Sequence, residues 1–285
     1  MDSLRGAAIV AVVVMHAELG VVSATGVTLP AVHVVDALLG PVRMPLLVLL
    51  SGMLLPVSLA KGPWRHVRGK LAGIGWPYLV WGLLDVVQVQ HLRHVDGLPP
   101  DWSYLWRLAY DPHTYLWFLA YLLVYHLAAT FVPPAGRTAA APVALAIGFA
   151  LPGELPAHKL VLLFGWFLVG DLLARVTRDR VALDRVRIEV PALSAIGRQS
   201  LVFYVCHLLV IIYAGRVLAA WGLTEPHLLW MTLVALPLLV GALLVAGREW
   251  RVVDALFRWP GLPRRSRPSG QRPPSELSGG LSLRT

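Results

Sequence analysis

Long apolar runs separated by short polar and basic stretches fill most of the chain. They fall at about residues 6–24, 44–60, 71–90, 115–133, 139–152, 159–176, 199–217 and 227–247. A helix rises about 1.5 Å per residue, so roughly 17–25 apolar residues cross a hydrocarbon core. The pattern therefore predicts an all-α, polytopic helical membrane protein with about eight transmembrane helices over residues 1–250. The run at 139–152 is the shortest and stops at Pro152-Gly153. From about Pro260 the chain turns to Pro, Ser, Gly and Arg, so 260–285 reads as a disordered cytoplasmic tail. The first run has the outline of a signal peptide, but His16 and Glu18 sit inside its apolar core. It is read as a retained first helix. No internal repeat is visible, which argues against an inverted-repeat transporter.

Composition sharpens this picture. Hydrophobic residues make up 57% of the chain and charged residues only 14%, with a mean hydropathy of +0.66. Soluble domains carry about 25% charged residues. The net charge of +9 resolves into topology. With the N-terminus inside and eight spans, twenty of the 25 Lys and Arg residues fall in inner segments. Only Arg43, Arg93, Arg107, Lys159 and Arg216 fall outside. Basic residues collect on the cytoplasmic side of a plasma membrane, so both termini are expected there. No nucleic-acid motif accompanies the charge. The single cysteine, Cys206, excludes an internal disulfide and a multi-cysteine metal site. Abundant Ala, Val, Arg and Pro point to a GC-rich bacterial source.

Ionisable groups inside a span are expensive, so each asks for a reason. Arg5 and His16 are eleven positions apart in the first helix. That spacing leaves about 20° of rotation and about 16 Å of rise between them, so both lie on one face. A guanidinium at the cytoplasmic mouth suits a phosphate-bearing donor, and an imidazole deeper in suits a general base. The same pair also fits a topological anchor and an interhelical hydrogen-bonding group. Lys61, Arg65, His66, Arg68 and Lys70 form a basic inner loop that suits phosphates or topology alone. His207 and Trp117 fit structural roles equally well.

Asp2-Ser3-Leu4-Arg5-Gly6 with His16 resembles the arginine, ten residues, histidine signature of the membrane acyltransferase 3 family. Met44-Pro45-Leu46 through Leu50-Ser51-Gly52 is similar to the family's "MPLFFFLSG" pattern. Arg65 and Arg68 resemble its cytoplasmic arginine pair, and Trp76-Pro77-Tyr78 the opening of its third helix. Tyr115-Leu116-Trp117-Phe118-Leu119 resembles "HLWFL". Phe164-Gly165-Trp166-Phe167-Leu168-Val169-Gly170 is a looser echo of a late glycine-rich helix. Ile196-Gly197-Arg198-Gln199-Ser200-Leu201 with Tyr204 and His207 resembles "IGRNSLxIYLLH". The resemblance runs from about residue 2 to 247. Members usually have about ten helices against the eight read here, with the shortage between Trp117 and Phe164.

The resemblance implies an enzyme moving an acyl group, often acetyl, from acyl-CoA to a hydroxyl of a sugar, glycan or glycosylated metabolite. It implies His16 as the catalytic residue, with Arg5, Asp2, Arg65 and Arg68 binding the donor. Ser51, Trp117, Tyr204 and His207 would line the site. Acyl-CoA enters as co-substrate, with no bound cofactor and no metal expected, because the thioester supplies its own leaving group. The oligomeric state is open. Two other classes stay in view. One is a non-enzymatic carrier or export protein for a glycan or small metabolite. The other is a haem protein using His16, His126 and His207, whose depths match poorly.

Overall fold

The computed structural model describes residues 1–111, 115–177 and 189–261. Arg178, Arg180, Arg185 and Arg187, counted above as inner charges, lie outside the described residues, as does the expected tail from 262 onward. Among the described residues there are helices and turns and no strand. They are α1 (Asp2–Thr25), α2 (Pro30–Gly52), α3 (Leu55–Leu59), α4 (Pro63–Lys70), α5 (Trp76–Val95), α6 (Ser103–Tyr110) and α7 (Trp117–Phe131). There follow α8 (Pro134–Ala150), α9 (Pro156–Thr177), α10 (Pro191–Arg198), α11 (Ser200–Ala220), α12 (Pro226–Ala246) and α13 (Arg251–Ala255). A π-helical turn, Leu71–Gly75, joins α4 to α5.

Each of the eight predicted apolar runs carries a helix. Among the described residues, six helical stretches are long and apolar enough to cross a membrane: Asp2–Thr25, Pro30–Leu59, Pro63–Val95, Pro156–Thr177, Ser200–Ala220 and Pro226–Glu249. The other two runs hold α7, of 15 residues, and α8, of 17. The largest departure from the sequence reading is α2, which begins at Pro30 rather than near residue 44. Gly40, Pro41, Arg43 and Pro45 interrupt the apolar run, but a proline inside a helix removes only one hydrogen bond, and neighbouring helices absorb the loss. Arg43 therefore belongs to a helix and not to an outer loop.

Close helix crossings hold the bundle together. A Cβ on Gly6 would stand 1.9 Å from the Leu193 carbonyl oxygen, and one on Gly197 would stand 1.8 Å from that of Asp2. The start of α1 and α10 thus meet backbone to backbone, with Ser3 Oγ and Ser194 Oγ 2.7 Å apart across the contact. A second crossing joins α2 to α9. There, a Cβ on Gly52 would lie 2.0 Å from the Phe167 oxygen, and one on Gly170 would lie 2.1 Å from that of Leu49. In lipid the hydrophobic effect does not drive helices together, so small residues that admit close packing do. Both crossings lie beside the sequence signatures, next to Arg5 and next to Ser51.

A buried ion-pair cluster joins α8 to α9. Asp171, fully buried on α9, accepts from Arg137 Nε at 2.9 Å and pairs with Arg175 Nη2 at 3.0 Å. Arg137 also donates to the Val132 carbonyl at 2.7 Å, which closes the end of α7 onto α8. By contrast the Asp96–Arg216 pair is exposed; the guanidinium holds the Asp96 carboxyl below the usual carboxylate range. Beyond α12 the chain packs back on α5, where Trp76 Nε1 donates to the Ala255 carbonyl at 2.7 Å. Phe257 there lies buried against Trp81.

Two stability outcomes follow. Gly52→Ala forces backbone apart and should lower the thermal midpoint in detergent. Gly69→Ala, where an added Cβ meets nothing within 4 Å, should leave it unchanged or slightly raised. Equal midpoints for the two would contradict the crossing. Asp171→Ala strands the buried Arg137 guanidinium and should cost about 3–5 kcal/mol, whereas Asp96→Ala should leave denaturation unchanged.

Candidate functional site

Arg5 and His16 share one face of α1, as the eleven-residue spacing requires. Arg5 Nη2 donates to the Leu50 carbonyl at 3.0 Å, next to the half-buried Ser51 at the end of α2. Asp2 and Lys70 both lie within electrostatic reach of Arg5, and Lys61 within reach of Lys70. Arg65 and Arg68 stand exposed on α4, three residues apart and so on one side of that helix. The predicted donor-binding cations therefore collect at one end of the bundle around the start of α1.

His16 sits about 16 Å deeper. Its Nδ1 lies 2.8 Å from the Val12 carbonyl. A carbonyl only accepts, so Nδ1 carries the proton, and in the neutral ring the lone pair is on Nε2. His207 on α11 packs edge-on against the His16 ring at 4.9 Å between centroids. Its own Nδ1 donates to the Tyr204 carbonyl at 2.5 Å, and the ring is fully buried. Its Nε2 has no hydrogen-bond partner among the described residues. Two imidazoles thus meet, each with its Nδ1 on a main-chain carbonyl.

Tyrosines close the site. Tyr204 donates its hydroxyl to the Tyr115 carbonyl, and Tyr115 donates to Val205 at 2.5 Å. Tyr115 also stands edge-on to His207 at 5.1 Å. Trp117 packs against Phe118 and Tyr121, with the Lys159 ammonium 5.9 Å from its ring. Of that segment it is Tyr115 and Phe118, on either side of Trp117, whose rings meet Tyr204.

Some groups at this depth escape motif reading. Asp85 on α5 is 5% exposed, its Oδ2 has no hydrogen-bond partner among the described residues, and it acts electrostatically on Tyr115. A carboxyl inside the run Leu83-Leu84-Asp85-Val86 is itself the signal that marks such a residue. Gln88, one turn on, donates to the Leu209 carbonyl at 3.0 Å and ties α5 to α11. Nearer the basic end, His66 meets Ser58 Oγ at 2.8 Å and packs at 5.4 Å against the buried ring of His126. Sequence alone gives no sign that those two histidines, sixty positions apart, come together.

Among the described residues, no group of three or more His, Cys, Asp or Glu side chains is arranged to hold a metal ion. One cavity of about 260 Å³ is lined by Val14, Leu29, Val32, His227 and Trp230. It is apolar and faces a different side of α1 from His16, since two residues turn a helix by about 200°. The polar chemistry lies at the histidine pair instead.

A family model described as an acyltransferase domain matches residues 1–153, more than half of the chain. No curated protein and no solved structure matches it. The matched region contains Arg5, His16, Ser51, Arg65, Arg68, Tyr115 and Trp117, while Tyr204 and His207 come from beyond it and pack onto it. Helices long and apolar enough to cross a membrane carry the matched domain: the chain belongs to the acyltransferase 3 family and is a membrane acyltransferase.

Proposed function

We propose that this acyltransferase moves an acyl group, acetyl in the simplest case, from acyl-CoA to a hydroxyl of a sugar, glycan or glycosylated metabolite. The donor is read as arriving from the cytoplasm, where both termini lie, in the plasma membrane of a bacterium. The observation that carries this reading is His16, whose Nδ1 is tied to the Val12 carbonyl, which in the neutral ring leaves the lone pair on Nε2. A neutral imidazole held in that tautomer is a general base at Nε2.

In this reading Arg65 and Arg68 grip the CoA phosphates at the exposed face of α4, and Arg5, with Asp2 beside it, holds the donor where it enters the bundle. The pantetheine arm spans the about 16 Å between Arg5 and His16. The acceptor hydroxyl attacks the thioester carbonyl while His16 Nε2 takes its proton. Collapse of the tetrahedral intermediate breaks the carbon–sulfur bond, and the thiolate leaves with the proton returned from His16. His207 and Tyr204 brace the His16 ring, and Ser51 and Trp117 line the approach. Twenty inner against five outer basic residues support the orientation. That count changes little when Arg43 moves into α2.

Transfer of radiolabel from acetyl-CoA in purified membranes tests the reading. Wild type should label a glycan, lipid or small-molecule fraction. His16→Ala should lose about 10²–10⁴-fold of the rate at normal protein yield; full activity would refute the assignment. Arg65→Ala and Arg68→Ala should raise KM for acetyl-CoA by about tenfold each, as loss of one charge-assisted contact implies. Equal KM values in wild type and both variants would remove these arginines from donor binding.

A further inference from the structure

Helix α2 brings a second charged group to the depth of His16. Between His33 and Val42 only Asp36 and Gly40 are not exposed. With Arg43 they recur at four- and three-residue spacing, which is one side of a helix. The stripe continues through Leu47 and Leu50, both buried, and Leu50 is the residue whose carbonyl accepts from Arg5. Consecutive helices α1 and α2 run antiparallel. Counting from the Arg5–Leu50 bond, eleven residues up α1 reach His16 and eleven residues back along α2 reach Leu39, beside Gly40. His16 therefore stands level with Gly40, between Asp36 and Arg43, and lies within electrostatic reach of both.

The local geometry leaves room and a donor. A Cβ built on Gly40 meets nothing closer than Asp36 Oδ1 at 3.8 Å. Arg43 Nη1 donates to Asp36 Oδ1 at 2.5 Å, and the arginine side chain is only 11% exposed. Its Nε is buried and has no partner among the described residues. An arginine in a span, fixed by one carboxylate and still holding an unused donor, is costly unless something anionic visits it. Acyl transfer from a thioester generates such a group, the oxyanion of the tetrahedral intermediate, and no residue discussed so far meets it.

We propose that Arg43, held in place by Asp36, stabilises the oxyanion of acyl transfer, its free Nε–H and remaining Nη–H donors facing the carbonyl oxygen of the acyl donor across the gap left by Gly40. The inference rests on His16 being the base. As the acceptor oxygen bonds to the thioester carbon, its proton passes to His16 Nε2. The carbonyl π pair moves onto oxygen, opposite Arg43. The pair then returns to re-form C=O, the carbon–sulfur bond breaks, and the thiolate takes the proton from the imidazolium. The Asp36 carboxyl holds Arg43 and lies within electrostatic reach of His16, where the positive charge appears. A preorganised donor at that oxygen contributes mainly to the transition state, so it acts on the maximum rate.

The test is the initial rate of label transfer from radiolabelled acetyl-CoA, measured against donor concentration in membranes holding equal amounts of wild type, Arg43→Gln/Asp36→Asn, Arg43→Lys or His16→Ala. The double variant replaces the ion pair by a neutral hydrogen-bonding pair, so the helix keeps its contact. Its maximum rate should fall about 10²–10³-fold with KM for acetyl-CoA unchanged. Arg43→Lys, which keeps the charge without the fork of donors, should lie between. If the double variant does not accumulate, Arg43→Lys alone decides, by a reduced maximum rate at unchanged KM. A wild-type maximum rate, or a loss confined to KM, overturns the proposal. An inactive His16→Ala beside a fully active Arg43 variant sinks this inference and spares the base assignment; an active His16→Ala sinks both.

Discussion

The register of α1 against its neighbours decides what His16 faces, and it is set at one end of the bundle. The Arg5 guanidinium rests on the Leu50 carbonyl at 3.0 Å. A few ångströms away Gly6 and Gly197 let α1 and α10 touch backbone to backbone. These contacts hold the first helix along its axis and about it. Everything at the depth of His16 inherits that registration: the His207 ring on α11, the tyrosines above it, and the Asp36–Gly40–Arg43 stripe on α2. A slip of one residue would turn His16 by about 100° out of the site.

Lipid as solvent explains why the site is built from so few groups. Each ionisable side chain in a span has to be neutral, paired or reserved for chemistry. Asp171 is paired twice over, with Arg137 and Arg175, and works as a clamp between α8 and α9. His16 and His207 each give Nδ1 to a main-chain carbonyl, and His207 Nε2 has no hydrogen-bond partner among the described residues. Asp85 Oδ2, Arg43 Nε, both nitrogens of His126 and the second oxygen of Asp171 are buried with no hydrogen-bond partner among the described residues.

Much of this was legible in the sequence, and the exceptions have physical causes. The apolar runs and the eleven-residue spacing of Arg5 and His16 needed only helix geometry, and the helices fall where those runs are. The start of α2 was missed because Gly40, Pro41, Arg43 and Pro45 break the apolar run while leaving the helix continuous. That error moved Arg43 to an outer loop and so hid its pairing with Asp36. Within Tyr115-Leu116-Trp117-Phe118 the motif drew the eye to Trp117, yet the rings that reach Tyr204 belong to Tyr115 and Phe118. Which residue of a short apolar segment faces inward depends on the helix packed against it, and a single chain does not print that. The meeting of His66 with His126 is of the same kind.

The most direct test of the account is a structure of the full chain in a lipid nanodisc with a non-hydrolysable thioether analogue of acetyl-CoA. The account predicts phosphates against Arg65 and Arg68, the pantetheine arm running past Arg5, and the acyl carbonyl carbon within hydroxyl-sized distance of His16 Nε2, so that an acceptor oxygen fits at about 3–3.5 Å from the carbon. An analogue whose carbonyl lies beside the His66–His126 pair, or in the apolar cavity lined by Val14 and Trp230, would contradict it.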